Sequence, residues 1–253
     1  MTAWPSRHQG IAVAAVVTLV VGVGWGVKLA RVAHSVQTHA SYWAQPHGQP
    51  GGLLYVALGD SAAQGIGASR PDRGYVGLLA QRLRERTGRP VEVVNLSRSG
   101  AHLLDVVDTQ LVALGALGRV PDVLTVGVGG NDIQDYDRER FAAAADRLTA
   151  ALPDGAYVAD VPYFMHGRWE RDAAQAAGLL RASASRAGLR PVALHAALRA
   201  QGWRAMFTDF AADWFHPNDR GHRVWADAFW HDITPNVAAV PDRATKVGAP
   251  GWG

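Results

Sequence analysis

Short apolar runs of strand length alternate along the chain with longer segments whose apolar residues recur every three or four positions. An apolar run of about four to eight residues closed by turn residues marks a buried strand of a parallel sheet. Residues 53–58 form the first such run, which breaks into Gly59-Asp60-Ser61 with Gly65 and Gly67 close behind. Similar runs occupy residues 91–96, 123–128 and 156–161, with a fifth strand expected around 191–194. Between them the period lengthens. Residues 75–86 carry Val76, Leu78, Leu79 and Leu83 as one stripe among Arg and Gln, with Gly88 as a stop, the pattern of an amphipathic helix. Residues 103–117, 138–152 and 171–187 read as helices by the same test. A last helix is expected to about residue 233, with Asn218 or Asp219 placed to cap it.

Five strands alternating with helices predict an α/β fold, a three-layer α/β/α sandwich around a five-stranded parallel sheet. The polar ends of the first three strands then share one edge of that sheet, where such folds bind ligands. No internal repeat is visible.

The two ends of the chain depart from this alternation. Between Arg7 and Lys28 lie 20 residues without Asp, Glu, Lys or Arg. Residues 11–27 are almost wholly Ala, Val, Leu and Gly, long enough for a helix to cross most of a ~30 Å hydrocarbon core. Residues 1–30 therefore read as a membrane anchor or a secretory signal. Lys28 and Arg31 crowd the cleavage position and no clean Ala-x-Ala follows, so one uncleaved N-terminal transmembrane helix is the favoured reading. Basic residues stand on both sides of the run, and orientation stays open. Residues 31–52 read as a polar linker, 53–234 as the folded domain, and 235–253 as a disordered Pro/Gly-rich tail.

Composition narrows the chemistry. The 253 residues contain no cysteine, which excludes disulfides, thiolate metal sites and a cysteine nucleophile. The net charge of +3 comes from 25 Lys and Arg against 22 Asp and Glu. Those charges are scattered, so no nucleic-acid partner is expected.

Acyl transfer needs a nucleophile, a base, an orienter for the base and donors for the oxyanion. Ser61 offers the hydroxyl. Gly100, after the second strand, lets a backbone N–H approach a reacting oxygen closely. Asn131, after the third, brings an amide donor, and the Ser61 N–H completes an oxyanion hole. Asp213 stands three positions before His216, near enough in a turn to hold Nδ1–H and leave Nε2 free for the Ser61 proton. Pro217 fixes the start of the last helix.

Gly59-Asp60-Ser61, Gly100, Gly130-Asn131-Asp132 and Asp213-x-x-His216 resemble the four blocks of the SGNH (GDSL-type) hydrolases, in order and at the ends of the right elements. The resemblance covers about residues 53–233. It implies a flavodoxin-like version of the sandwich and serine esterase, lipase or acyl-hydrolase chemistry. It would make Ser61, Asp213 and His216 catalytic and Ser61, Gly100 and Asn131 the oxyanion donors. No cofactor or metal is implied. Ala62 replaces the usual Leu after the serine, at a position that packs rather than reacts. The Gly-x-Ser-x-Gly elbow of other hydrolases is absent around Ser61.

Plainer roles suit the neighbouring residues. Asp60 and Asp132 are expected to hold their turns, and His222 to be structural. Residues 161–169, with Trp214 and Phe215, are equally able to line an acyl pocket or to be core. Arg98 and Arg168 read as solvated. The expected partners are an esterified small molecule, lipid or glycan and, through the N-terminal helix, a membrane, with the domain facing outward, or secreted if the segment is cleaved. Transfer of the acyl group to a cell-envelope glycan or lipid would use the same residues. Metal-dependent phosphoester hydrolysis lacks the extra ligands it needs. A non-catalytic binding module would not require the whole constellation.

Overall fold

The computed structural model describes the backbone of residues 7–237 and the side chains of residues 25–237. The chain opens on a long helix, α1 (Arg7–Trp43), followed by strands β1 (His47–Gly48) and β2 (Leu53–Gly59) and helix α2 (Tyr75–Thr87). Next come β3 (Val91–Asn95), α3 (Leu103–Asp105), a π-helical turn (Val106–Gln110), α4 (Leu111–Ala116), β4 (Val123–Gly127) and α5 (Arg138–Ala151). The last part holds β5 (Tyr157–Ala159), α6 (Gly167–Arg186), β6 (Arg190–Val192), α7 (Leu194–Arg199), α8 (Ala205–Thr208) and α9 (Asp219–Val237).

The sheet runs in the order β1-β3-β2-β4-β5-β6. Every neighbouring pair is parallel except β1–β3. Six strands stand where five were expected. The extra one is two residues long, His47 opposite Val93 and Gly48 opposite Glu92, and holds by backbone pairing. It carries no apolar run that could announce it.

Tyr55 of β2 lies between Val93 on one side and Val123 on the other. The chain therefore winds outward from β2 in both directions. The crevice above the carboxyl end of such a strand is where ligands enter doubly wound sheets. Gly59-Asp60-Ser61 occupies that end.

β2 is buried along its whole length, as a central parallel strand must be. Leu54, Val56 and Leu58 face one core layer, with Phe141 and Leu148 of α5 and Leu180 of α6. Leu53, Tyr55 and Ala57 face the other, with Leu79 of α2 and Phe229 of α9. Tyr75 stacks on Trp225 at 5.4 Å and on Phe229 at 5.2 Å, joining α2 to α9 beneath the crevice.

Three boundaries differ from the sequence expectation. Residues 31–43, read as linker, continue α1 and dock on the domain. Ser35, His39 and Trp43 are buried, and the Trp43 Nε1–H donates to the Gln64 carbonyl at 3.1 Å. Their four-residue spacing is helical, but a stripe of Ser, His and Trp carries little apolar signal. Residues 235–237, read as tail, extend α9 with Pro235 inside it, because Val237 continues the buried face after Ile233. Leu194, expected near the end of a strand, begins α7.

Among the described residues no helix is long and apolar enough to cross a membrane. Most of the expected span, residues 11–24, has side chains outside the described residues, and so does the tail beyond residue 237.

Candidate active site

Ser61 follows β2 in a turn held from several directions. The Asp60 N–H donates to the Gly127 carbonyl at 3.2 Å, and the Asp60 Oδ1 accepts the Ala62 N–H at 2.9 Å. Gly59 makes a close approach that only glycine allows, since a Cβ there would lie 2.2 Å from the Gly127 oxygen. Gln110, which the sequence places inside a helix and gives no role, reaches this strand end. Its Oε1 accepts the Gly59 N–H and its Nε2 donates to the Gly59 carbonyl, both at 2.8 Å. The π-helical turn that ends at Gln110 shifts the register of the helix, and such bulges recur at functional sites.

His216 and Asp213 arrive on the loop between α8 and α9. The Ala211 N–H donates to the His216 carbonyl at 2.8 Å and the Asn218 N–H to the Asp209 carbonyl at 2.9 Å, so the loop closes as a tight hairpin. Asn218 caps α9, its Oδ1 accepting the N–H groups of Arg220 and Gly221 at 2.8 and 3.2 Å. Asp219, the other capping candidate, instead accepts both the N–H and the hydroxyl of Ser69 at 2.7 Å. Gly67 lets the loop after Ser61 pass under this hairpin. Its φ is +88°, and a Cβ there would lie 2.4 Å from the Pro217 carbonyl oxygen.

The result is one continuous line of polar atoms. The Ser61 hydroxyl lies 2.9 Å from His216 Nε2, and His216 Nδ1 lies 2.6 Å from Asp213 Oδ2. The other Asp213 oxygen accepts the N–H groups of Phe215 and His216, each at 3.1 Å. Partial burial pushes the Asp213 carboxyl upward, but the His216 ring and these N–H donors outweigh it and hold the group below its ordinary value. An ionised Asp213 keeps the proton on Nδ1 and leaves the Nε2 lone pair toward Ser61.

The other expected residues fall near this line without all joining it. The Asn131 amide follows β4 but donates to the Ala101 carbonyl at 2.9 Å. Gly100, at φ +80°, borders a shallow depression with Arg98, Ser99 and Asp105 rather than the cavity beside Ser61. Asp132 accepts the Leu103 N–H and lies 3.5 Å from His102, a structural role. His222 is buried and pushed down to about 4 by that burial. Neutral, it accepts the Tyr75 N–H at Nδ1 and donates from Nε2 to the Ile66 carbonyl at 3.0 Å, supporting the loop after Ser61 from beneath. Burial pushes Asp60 up to about 6. Arg168 pairs with Asp172 at the surface.

A cavity of about 390 Å³ opens beside Ser61 and His216. Pro162, Tyr163, Phe164 and Met165 line one side and Trp214 and Phe215 the other, so both segments that could have been core are walls. The 161–166 segment is pinned from behind. Glu170 accepts the Phe164 N–H at 2.8 Å and meets His195 Nε2 at 3.1 Å, while His195 Nδ1 meets the Val161 carbonyl at 3.1 Å. Neither His195 nor Glu170 stands out in the sequence, since their pairing spans 25 positions.

A hydroxyl, an imidazole and a carboxylate aligned at the switch point of a parallel sheet are the equipment of acyl-transfer enzymes. The chain belongs to the GDSL-like lipase/acylhydrolase family, whose model matches residues 57–224, and it is a carboxylic ester hydrolase. No curated protein matches it. Its structure is similar to that of LAE5, an α/β hydrolase from the metagenome of Lake Arreo, Spain, at 25% identity and a TM-score of 0.58, covering 72% of this chain and 94% of that one. It also resembles Axe2, an acetylxylan esterase from Geobacillus stearothermophilus, at 21% identity and a TM-score of 0.56, covering 71% and 93%. The lipase Lip_vut3 from a goat rumen metagenome shares 18% identity with a TM-score of 0.57, covering 71% and 97%.

Proposed function

We propose that this protein is a membrane-tethered serine esterase that works through an acyl-enzyme. The observation that carries the reading is the line Ser61–His216–Asp213, with contacts of 2.9 and 2.6 Å. In it His216 takes the Ser61 proton as the hydroxyl oxygen attacks the ester carbonyl. The same imidazolium then protonates the departing alkoxide, and Asp213 stabilises its charge. Water, deprotonated by His216, attacks the acyl-enzyme; the bond to the Ser61 oxygen breaks, that oxygen takes the proton back from His216, and the acid leaves. The Ser61 N–H, the Gly100 N–H and the Asn131 amide are the donors for the oxyanion. In this role Asn131 exchanges its bond to Ala101 for one to the developing charge. Each such donor is worth about 3 kcal/mol in the transition state.

The aromatic cavity walls suit an apolar acyl or alcohol group. Similarity to an acetylxylan esterase and to a lipase leaves short acyl groups and long ones both within this reading. Residues 11–27 anchor the enzyme as a single helix and hold the domain outside the cytoplasm.

A fluorophosphonate probe tests the assignment. It should label the native enzyme at Ser61 and fail to label Ser61→Ala, which should also lose ester turnover. Undiminished labelling of Ser61→Ala would overturn it.

A further inference from the structure

Large apolar side chains that stay in water call for a partner when they form a contiguous patch. Four aromatic rings form one here. Trp203 meets Phe207 edge-on at 6.3 Å, Phe207 meets Trp214 edge-on at 5.8 Å, and Trp214 stacks on Trp25 of α1 at 5.8 Å. Trp203, Phe207, Trp214 and Trp25 are 70, 62, 48 and 40% exposed. Trp214 belongs to both settings that matter: it lines the cavity beside Ser61 and also the groove under α1. Its φ of 57° is a left-handed conformation that costs a tryptophan free energy, and it turns the ring outward between Asp213 and His216.

The position of Trp25 says what covers this patch. In sequence it closes the uncharged run 11–27, which as a helix is roughly 25 Å long, most of a hydrocarbon core. Lys28 and Arg31 follow within about two turns. Apolar run, then tryptophan, then cations is the order in which a helix leaves a bilayer, with Trp at the boundary and Lys or Arg against anionic headgroups. Trp25 stacks on Trp214, so the rest of the ladder lies beside this level. Phe207 and Trp214, like Lys28 and Arg31, face the groove between α1 and the catalytic loop.

We propose that the ladder Trp203–Phe207–Trp214–Trp25 sits in the headgroup layer of the bilayer that holds α1, so that the cavity beside Ser61 receives its ester from that layer. The substrate class is then an acylated amphiphile resident in the membrane, whose acyl or alcohol chain enters along Trp214 without crossing water. The inference rests on the anchored-esterase reading above and adds the face presented to the membrane and the source of the substrate.

The absence of cysteine allows single labels. Trp203→Cys and, as a reference, Val120→Cys would each carry a nitroxide in the full chain, reconstituted in vesicles of equal parts phosphatidylcholine and phosphatidylglycerol. Val120 is 78% exposed and precedes β4, at the edge of the sheet away from Ser61. The ratio of oxygen to nickel-chelate accessibility should be several-fold higher at 203 than at 120. Equal ratios would overturn the proposal. Dipolar broadening between labels at 203 would assign the patch to a second copy of the chain, and overturn it too.

The double variant Trp203→Ser with Phe207→Ser should hydrolyse dissolved p-nitrophenyl acetate as the native enzyme does. With a p-nitrophenyl ester of a long acyl chain held in the same vesicles, its rate should fall about tenfold, since two of the four rings that would lie in the headgroup layer lose their apolar surface. An equal rate on the vesicle ester, or a native enzyme that turns over only the dissolved one, would sink the proposed substrate source. Failure of Ser61 to react with fluorophosphonate while the label at 203 still reports lipid would count against the esterase reading alone.

Discussion

The side-chain amide of Gln110 holds both backbone groups of Gly59, accepting from its N–H and donating to its carbonyl at 2.8 Å each. Gly59 ends the central strand two positions before Ser61, where a strand neighbour would otherwise supply those bonds. Gln110→Leu removes the side-chain acceptor of the Gly59 N–H, whereas the carbonyl keeps the Arg98 N–H at 3.1 Å. The expected loss of stability is about 1–3 kcal/mol, the penalty for one stranded buried donor, read by urea denaturation. Fluorophosphonate labelling of Ser61 should slow in the same variant, because the turn carrying the hydroxyl loses its support.

Asp213→Asn keeps the shape of the loop and removes the charge. Asparagine can present its NH2 to Nδ1 and turn the imidazole into the wrong tautomer. Ester hydrolysis should fall by about a thousandfold or more, in kcat rather than KM. A decrease of only a few-fold in steady-state assays would show that Asp213 does not orient His216.

Asp60 and His222 give the fold opposite responses to acid. His222 is pushed down to about 4 from an ordinary 6.5, so the unfolded chain binds the proton first as pH falls. Its stabilising contribution is complete above 6.5 and is lost as pH falls toward 4, about 3 kcal/mol in all. His222→Gln should therefore lose less stability than the native chain between pH 7 and 4, measured as the denaturation midpoint at each pH.

Asp60 is pushed up to about 6 from 3.8, so its contribution is present below 3.8 and lost as pH rises through 6. Asp60→Asn, which can still accept the Ala62 N–H, should be more stable than the native enzyme at pH 8 by up to about 3 kcal/mol. The advantage should shrink as the pH drops below 6. Equal midpoints at both ends of the range would contradict the assigned ionisation.

Gly67→Ala places a methyl group 2.4 Å from the Pro217 oxygen, at a φ of +88°. The hairpin carrying His216 must retreat from the loop after Ser61. Stability should fall by roughly 2 kcal/mol or more, and hydrolysis should fall further than stability alone explains, as judged by activity at a temperature where the variant is fully folded.

Where the candidate site was legible in the sequence, the signal was short-range. Gly59-Asp60-Ser61 closes an apolar run, and Asp213 sits one turn from His216, so each half could be read within a few residues. The residues that join the halves are dispersed. In the sequence Gln110 reads as a solvent-facing side chain of an amphipathic helix, but it is buried at the end of a π-helical turn. His195 and Glu170 fix the cavity wall through contacts between elements far apart in the chain. The docking of α1 was hidden for another reason: its buried stripe is Ser35, His39 and Trp43, residue types that do not announce an interior. The sheet's extra strand, two residues of His and Gly, had no pattern to read.

That docking bears on how the enzyme can be handled. The Trp43 indole donates to the carbonyl of Gln64, whose own side chain accepts the Ser99 N–H and donates to the Ser97 carbonyl, so the C-terminal end of α1 is part of the wall behind the Ser61 loop. An enzyme shortened by deleting everything before β2 would lose this wall along with the rest of α1. Deletion should stop short of Ser35, and the activity of an enzyme cut later should be read against damage to the loop that carries Ser61.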